Sequence, residues 1–421
     1  MLTSTKTILQ LRLIVMNFLE FAVWGAYLTS MGSYLATHGL STQIGWFYAV
    51  QGIVCLFMPG LVGVVADRWL AGHRLLGLCH AIAGALMLYT GFTALGMGAT
   101  ASMSGLFIPY ALSVAFFMPT IGLSNAVAFN ALGQAGLDTV RDFPPIRVFG
   151  TIGFICTMLL VNFLGFQTEH QQFLLSGALS LVLALYAPTL PPCPVSSRDE
   201  RKSVAQSLGL DAFKLLANRR MAIFFIFSML LGVSLQITNG YANPFIMSFK
   251  NIPEYAHTFG ANNANALISL SQISETCCIL LIPFFMKRFG IKRVMLIAMF
   301  AWVLRFGLFA TGDPGAGVWM FILSMIVYGV AFDFFNISGA LFVDNHTDKS
   351  IRSSAQGLFM MMTNGLGATI GTIVAMWVVN YYVQEGASPE LNIAGWRTCW
   401  AIFSAYAFAV FVLFALLFKE K

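Results

Sequence analysis

The sequence predicts an all-α integral membrane protein, with twelve transmembrane helices arranged as two six-helix halves. Three observations carry that prediction. Of the 421 residues, 58% are hydrophobic and only 10% are charged, a balance that soluble globular domains do not show. Apolar runs long enough to span a bilayer, about 20 residues as a helix, recur along the whole length and leave room for one sizeable polar loop. Lys and Arg crowd at alternate ends of these runs, as they do where loops face the cytoplasm. A β-barrel is excluded, because its strands alternate apolar and polar residues in short segments, whereas these runs are continuously apolar.

The spans fall at roughly 9–33, 42–66, 74–97, 103–131, 145–166, 171–190, 220–247, 264–286, 291–311, 317–343, 354–383 and 393–418. Their even number places both termini on one side. Lys6, Arg12, Arg68, Arg74, Arg141, Arg198, Arg201, Lys202, Lys214, Arg219 and Arg220 fall at one face. So do Lys287, Arg288, Lys292, Arg293, Lys349, Arg352, Lys419 and Lys421, against only Lys250 and Arg397 at the other. That face, and with it both termini, is expected to be cytoplasmic. The net charge of +6 then reads as a topology signal, and no nucleic-acid partner is expected. The first run lacks a small-residue cleavage site, so no cleavable signal peptide is expected. The 7 cysteines are odd in number, scattered and mostly within apolar runs, which fits neither a disulfide framework nor a metal site. No cofactor is expected.

After the sixth span come Pro188, Pro191, Pro192 and Pro194, then a polar run from Ser196 to Ser203. Proline cannot continue a helix and charges of both signs cannot rest in lipid. The expected organisation is therefore a first half at 1–190, a cytoplasmic linker at 191–219 and a second half at 220–421. The halves echo each other after their second spans, with Gly63, Asp67, Arg68 and Arg74 in one and Lys287, Arg288, Gly290, Lys292 and Arg293 in the other. Two such halves related by an axis along the membrane normal are a known transporter architecture. Together with the Gly63-x-x-x-Asp67-Arg68 turn, this organisation resembles the major facilitator superfamily, in which that turn is a gating loop. The tail from Trp69 to Arg74 departs from the shorter basic ending usual in that motif.

Polar residues inside spans are costly and mark pathways or partners. In the first span Glu20 lies near the centre, with Trp24 and Tyr27 at helical spacing; the two aromatics read first as packing, and Glu20 as a proton site or as a partner to another polar residue. The fifth span opens at Phe143-Pro144-Pro145, where proline is tolerated at a helix start. Arg147, Thr151 and Phe154 follow at i, i+4 and i+7, a fork, a hydroxyl and a ring on one face that suit a ligand with vicinal hydroxyls and a flat face. Arg147 could equally snorkel to the headgroups. Gln236 and Asn239 share a face of the seventh span, either reading a ligand edge or holding helices together. Gln272 and Glu275 share a face of the eighth, and Asp333 and Asn336 a face of the tenth, among aromatics. Arg305 in the ninth reads first as a snorkelling side chain, and otherwise as a partner for one of the buried carboxylates.

Several stretches resemble the bacterial nucleoside:proton symporter family. They are Asp142 to Phe154, Arg220 to Phe225, Leu235 to Asn239, Ser271 to Glu275, Ile282 to Phe285, Tyr328 to Gly339 and Ser354 to Phe359. The spacing of Arg147 and Phe154 also resembles the lactose permease type of sugar:proton symporter. The resemblance implies proton-coupled uptake of purine or pyrimidine nucleosides by alternating access, by a monomer in the bacterial inner membrane and without covalent chemistry. It implies a central site of Arg147, Thr151 and Phe154 from one half with Gln236, Asn239, Gln272, Glu275, Phe332 and Asp333 from the other. Phe154 and Phe332 would stack on base and ribose, while the amides and Arg147 pair with polar edges. Glu275 and Asp333 are the proton-coupling candidates, because a carboxyl taken out of water can couple protonation to ligand binding. The alternatives are a sugar or glycoside symporter on the same scaffold, a non-transporting membrane receptor and a drug exporter.

Overall fold

The computed structural model describes residues 2–97, 102–193, 210–348 and 351–419. Of the expected linker, Pro194 and the run from Ser196 to Ser203 lie outside the described residues. So do Lys349, Lys421 and the side chain of Asp67. Every regular element among the described residues is helical, and 12 helices are long and apolar enough to cross a membrane. The chain forms two compact units, Met1–Tyr34 with Val54–Leu208, and Leu35–Ile53 with Gly209–Lys421.

The first unit is built from α1 (Leu2–Gly25), the start of α2 (Met31–Thr37), most of α3 (Ile44–Arg68), α4 (Gly72–Met97), α5 (Met103–Gln134), α6 (Thr139–Phe163) and α7 (Gln171–Tyr186). Helix α1 packs on α6, and α4 packs on α5 and α7. Small residues let α1 and α6 touch backbone to backbone. A Cβ on Gly153 would sit 2.2 Å from the Phe18 carbonyl oxygen, and one on Gly25 would sit 2.4 Å from that of Phe154. Such contacts are how membrane helices associate where lipid offers no hydrophobic gain. Across the same seam the Thr157 hydroxyl donates to the Ala22 carbonyl at 2.9 Å. Leu13, Met16, Leu76, Leu132, Ile146 and Leu183 form an apolar core at the end of the unit where α1 begins.

Helix α6 begins earlier than its prolines suggest. It opens at Thr139 and carries Pro144 and Pro145 within it. The first turn is closed twice: Asp142 N donates to the Asp138 carbonyl at 2.7 Å, the first bond of the helical ladder, and the Asp142 carboxylate reaches back to accept from Asp138 N at 3.1 Å. The first four N–H groups of a helix have no partner inside it, so a carboxylate accepting one of them stabilises the added turn. Arg147 consequently lies two turns inside the helix.

The second unit contains α8 (Arg219–Ser248), the short α9 (Phe259–Asn262), α10 (Ala264–Phe289), α11 (Ile291–Thr311), α12 (Val318–Asn345), α13 (Arg352–Met360), α14 (Ala368–Tyr382) and α15 (Pro389–Leu417). Asn218 caps α8 by accepting from Arg220 N and Met221 N, and Ser388 caps α15 by accepting from Leu391 N. Helix α12 packs on α10 and α11, and α15 packs on α11. Stacked and edge-on rings join these helices, with Phe309 and Trp400 4.6 Å apart at 24° and Phe245 edge-on to Phe309 and Phe321. Between α13 and α14 the backbone runs as a π-helix over Met361–Gly367. That segment lies against α8, where a Cβ on Gly232 would sit 2.1 Å from the Thr363 carbonyl oxygen.

Candidate functional site

In the second unit the expected residues gather around one that composition did not single out, Tyr328 on α12. Its side chain is 5% exposed. It lies beside Gln272 and within the electrostatic reach of Glu275, Arg305 and Asp333. Helix geometry explains the grouping. Gln272 and Glu275 are three apart on α10, so both present to α12, and Tyr328, Phe332 and Asp333 occupy adjoining turns of α12. The Tyr328 and Phe332 rings lie 5.7 Å apart at 6°, and Trp302 meets Tyr328 edge-on at 5.9 Å. Phe332 is half-buried while Asp333 is 5% exposed.

Arg305 does not snorkel. It is 1% exposed, with its guanidinium carbon 4.6 Å from the Tyr328 ring centroid and Nη1 donating to the Ser324 carbonyl at 2.7 Å. Ser324 answers from its hydroxyl to the Arg305 carbonyl at 3.0 Å. These bonds and the Tyr328 ring are what meet its burial, and a side chain tied to α12 in this way does not reach the headgroups. Arg305 is thus tied to Ser324 and Tyr328 of α12, and the reading as a surface anchor falls.

Gln236 and Asn239 on α8 pair with each other, Asn239 Nδ2 donating to Gln236 Oε1 at 2.8 Å. This leaves the Gln236 amide nitrogen and the Asn239 carbonyl oxygen for other work. Next to α8, Leu235, Trp302, Phe332, Asn336 and Asn364 line part of a small pocket of about 20 Å³, room for about one water.

In the first unit Arg147 lies with its guanidinium carbon 3.9 Å from the Phe21 ring centroid, and its Nη1 comes near Gly150, one turn further into the helix. It is thus directed toward the middle of α6 and away from the helix start, contrary to headgroup snorkelling. Phe154 is 6% exposed and meets Trp24 edge-on at 6.2 Å. Trp24 packs, as its spacing suggested, but its buried indole N–H has no acceptor among the described residues, which makes it a donor available to a ligand. Thr151 is half-buried on the same helix. Glu20 is paired with His80 of α4. In the turn after Gly63, α3 ends at Arg68, and Trp69 N and Leu70 N both donate to the Val65 carbonyl. Gly63 has open space where a Cβ would be.

The profile of the family described as "Nucleoside H+ symporter" matches residues 7–421. The chain belongs to the nucleoside:proton symporter family. It is 46% identical to the xanthosine permease of Escherichia coli (strain K12) over 412 residues, covering 97% of this chain and 96% of that protein. It is also 46% identical to the nucleoside permease NupG of the same organism over 418 residues, covering 98% and 96%. A crystal structure of nucleoside transporter NupG superposes with a TM-score of 0.88 at 46% identity, covering 98% of this chain and 100% of that one. This symporter therefore has the major facilitator fold, and it is a multi-pass membrane protein.

For a nucleoside:proton symporter, the residues beyond the sequence expectation are Tyr328, Trp302 and His80. Tyr328 could have been found as the aromatic one helical turn before Phe332. Buried His80 had a different signal, since a carboxylate at bilayer depth such as Glu20 calls for a cationic or proton-sharing partner at similar depth in another span. Among the described residues no group of three His, Cys, Asp or Glu side chains could hold a metal ion.

Proposed function

We propose that this protein takes up nucleosides together with protons across the bacterial cytoplasmic membrane by alternating access, as a monomer with both termini cytoplasmic. The observation that carries the reading is the cluster of Gln272, Glu275, Arg305 and Asp333 about Tyr328 in a chain of the nucleoside:proton symporter family. An amide, a phenol and stacked rings recognise a flat, hydroxyl-bearing ligand, while two carboxylates with one cation leave a charge for a proton to neutralise. Gln272, Gln236, Asn239, Arg147 and Thr151 pair with base edges and ribose hydroxyls, joined by the Trp24 N–H. Phe332 and Phe154 supply the ring faces. Glu275 and Asp333 carry the coupling proton, and the turn bearing Gly63, Asp67 and Arg68 gates access.

Purified protein in proteoliposomes tests this. Labelled uridine or adenosine should accumulate against its gradient when the outside is acid and should leak away when a protonophore is added. Saturable uptake indifferent to pH and to protonophore sinks the coupling. Competition by unlabelled nucleosides, but not by free nucleobase, ribose or lactose, separates this substrate class from sugars and glycosides.

A further inference from the structure

Glu20 of α1 and His80 of α4 are both fully buried in the first unit. His80 Nε2 lies 2.9 Å from Glu20 Oε2. The other carboxylate oxygen, Oε1, is 2.6 Å from the hydroxyl of Thr120 on α5, and that hydroxyl is also 2.5 Å from the Phe117 carbonyl. On the far side of the ring, Nδ1 lies 2.9 Å from the hydroxyl of Ser180 on α7, which is also 3.0 Å from the His80 carbonyl. Four helices thus contribute one polar group each to a closed cluster.

Few other charges bear on it. Helices α5 and α7 contain no Asp, Glu, Lys, Arg, His or Cys. Their tyrosines are engaged elsewhere, Tyr110 edge-on to Tyr27 at 5.9 Å and Tyr186 donating to the Arg12 carbonyl at 3.1 Å. Helix α4 adds Cys79 next to His80, and His73 and Arg74 lie about 9–10 Å further along it at 1.5 Å per residue. Helix α1 adds Lys6 and Arg12, two turns or more away. Helix α6, packed on α1, adds Arg147 over Phe21, with Arg141 and Asp142 near its start and Cys156 beyond.

We propose that Glu20 and His80 form a second proton-binding site, in the first unit and separate from Glu275 and Asp333. The hydrogen-bond pattern accommodates two protonation states without moving a heavy atom. With Glu20 ionised and His80 neutral, Nε2–H donates to Oε2, Ser180 donates to Nδ1 and Thr120 donates to Oε1. One added proton goes to Nδ1, which then donates to the Ser180 oxygen. The Ser180 hydrogen turns to the His80 carbonyl, and the cluster passes from a net charge of −1 to a neutral ion pair. A fixed structural bond would need only one of the two acceptors within reach of Ser180.

The site adjoins the candidate substrate face. Phe117, edge-on to His80 at 5.9 Å, touches Trp24 at 6.3 Å, and Trp24 meets Phe154. Phe21, next in the chain to Glu20, lies under Arg147. A change of charge at Glu20 and His80 therefore reaches Arg147 through one ring, Phe21, and Phe154 through two, Phe117 and Trp24, a consequence that rests on the function proposed above.

The test is ¹⁵N NMR of the full chain with labelled histidine in nanodiscs. The His80 signal is assigned by its loss in His80→Gln, or, with the histidine retained, by its movement in Phe117→Leu. On acidification the ring should pass from the Nε2–H tautomer to the doubly protonated form. In Glu20→Gln the charged form should not appear, because a buried imidazolium then has no counter-charge. A single neutral tautomer throughout, a ring charged throughout, or a titration indifferent to Glu20→Gln overturns the proposal. Uridine calorimetry on the same nanodiscs reports the substrate reading independently: titration without uridine binding sinks that reading alone, and binding without titration sinks the proton site alone.

Discussion

Replacing Tyr328 by Phe isolates the contribution of one hydroxyl. The ring stays, and with it the stacking on Phe332 at 5.7 Å, the edge contact with Trp302 at 5.9 Å and the Arg305 guanidinium at 4.6 Å. What is lost is the hydroxyl beside Gln272, able to hydrogen-bond its amide, and the dipole beside Glu275. A buried neutral hydrogen bond contributes about 1 kcal/mol net, which is about fivefold in an equilibrium constant. If that bond holds the Gln272 amide toward nucleoside, uridine affinity should fall about fivefold in Tyr328→Phe while stability changes by no more than about 1.5 kcal/mol. Tyr328→Ala removes the ring as well and should cost roughly 3–5 kcal/mol of stability. The assay is calorimetry of uridine binding in nanodiscs on a double-mutant cycle of Tyr328→Phe and Gln272→Ala. The two changes should couple by about 1 kcal/mol. Effects that add within about 0.3 kcal/mol would refute the positioning role.

Glu275→Gln and Asp333→Asn each remove a charge from the same cluster. At least one should abolish uphill uptake in proteoliposomes while leaving downhill exchange, and accumulation unchanged in both would return the carboxylates to a purely structural role. Arg305→Gln removes a charged hydrogen bond to the Ser324 carbonyl and the cation over the Tyr328 ring, so folded yield and melting temperature should drop by an amount equivalent to about 1.5–3 kcal/mol, and an unchanged melting temperature would contradict those contacts. Gly153→Ala places a methyl group 2.2 Å from the Phe18 carbonyl oxygen, so α1 and α6 must part or bend. A destabilisation of about 1–3 kcal/mol is expected, and an unchanged melting temperature would contradict the backbone contact.

The spans were legible because length and apolarity are properties of contiguous sequence, and the i, i+3 polar pairs were legible because helical spacing is local. Breaks inside apolar stretches were not. The first span was expected to reach residue 33, but α1 stops at Gly25. A turn follows, with Tyr27 N and Ser30 N donating to carbonyls three residues back, and no proline or charge announces it. The two prolines of α6 pointed to a later start than the Asp138 and Asp142 bonds allow. The site was half legible for the same reason. Gln272 and Glu275 could be placed on one face, but that face meets Tyr328 and Arg305 through the packing of α10, α11 and α12. No spacing rule along one helix conveys such a meeting. His80 escaped attention because a lone histidine in an apolar run carries no periodic signal, and its importance depends on which helix brings a carboxylate to it.

The π-helical segment at Met361–Gly367 affects how the eleventh span can respond to force. A wider turn holds roughly one residue more than the α-helix would, and each α-helical residue corresponds to about 100° of rotation. Helices α13 and α14 are therefore out of phase with each other, like two gears offset by a tooth. If the wide turn migrated along the helix, each residue that it passed would rotate to a new azimuth with the two ends of the span fixed. The span stores slack as phase, and Gly232 opposite Thr363 keeps the neighbouring backbone clear of a side chain at the place where that slack now resides.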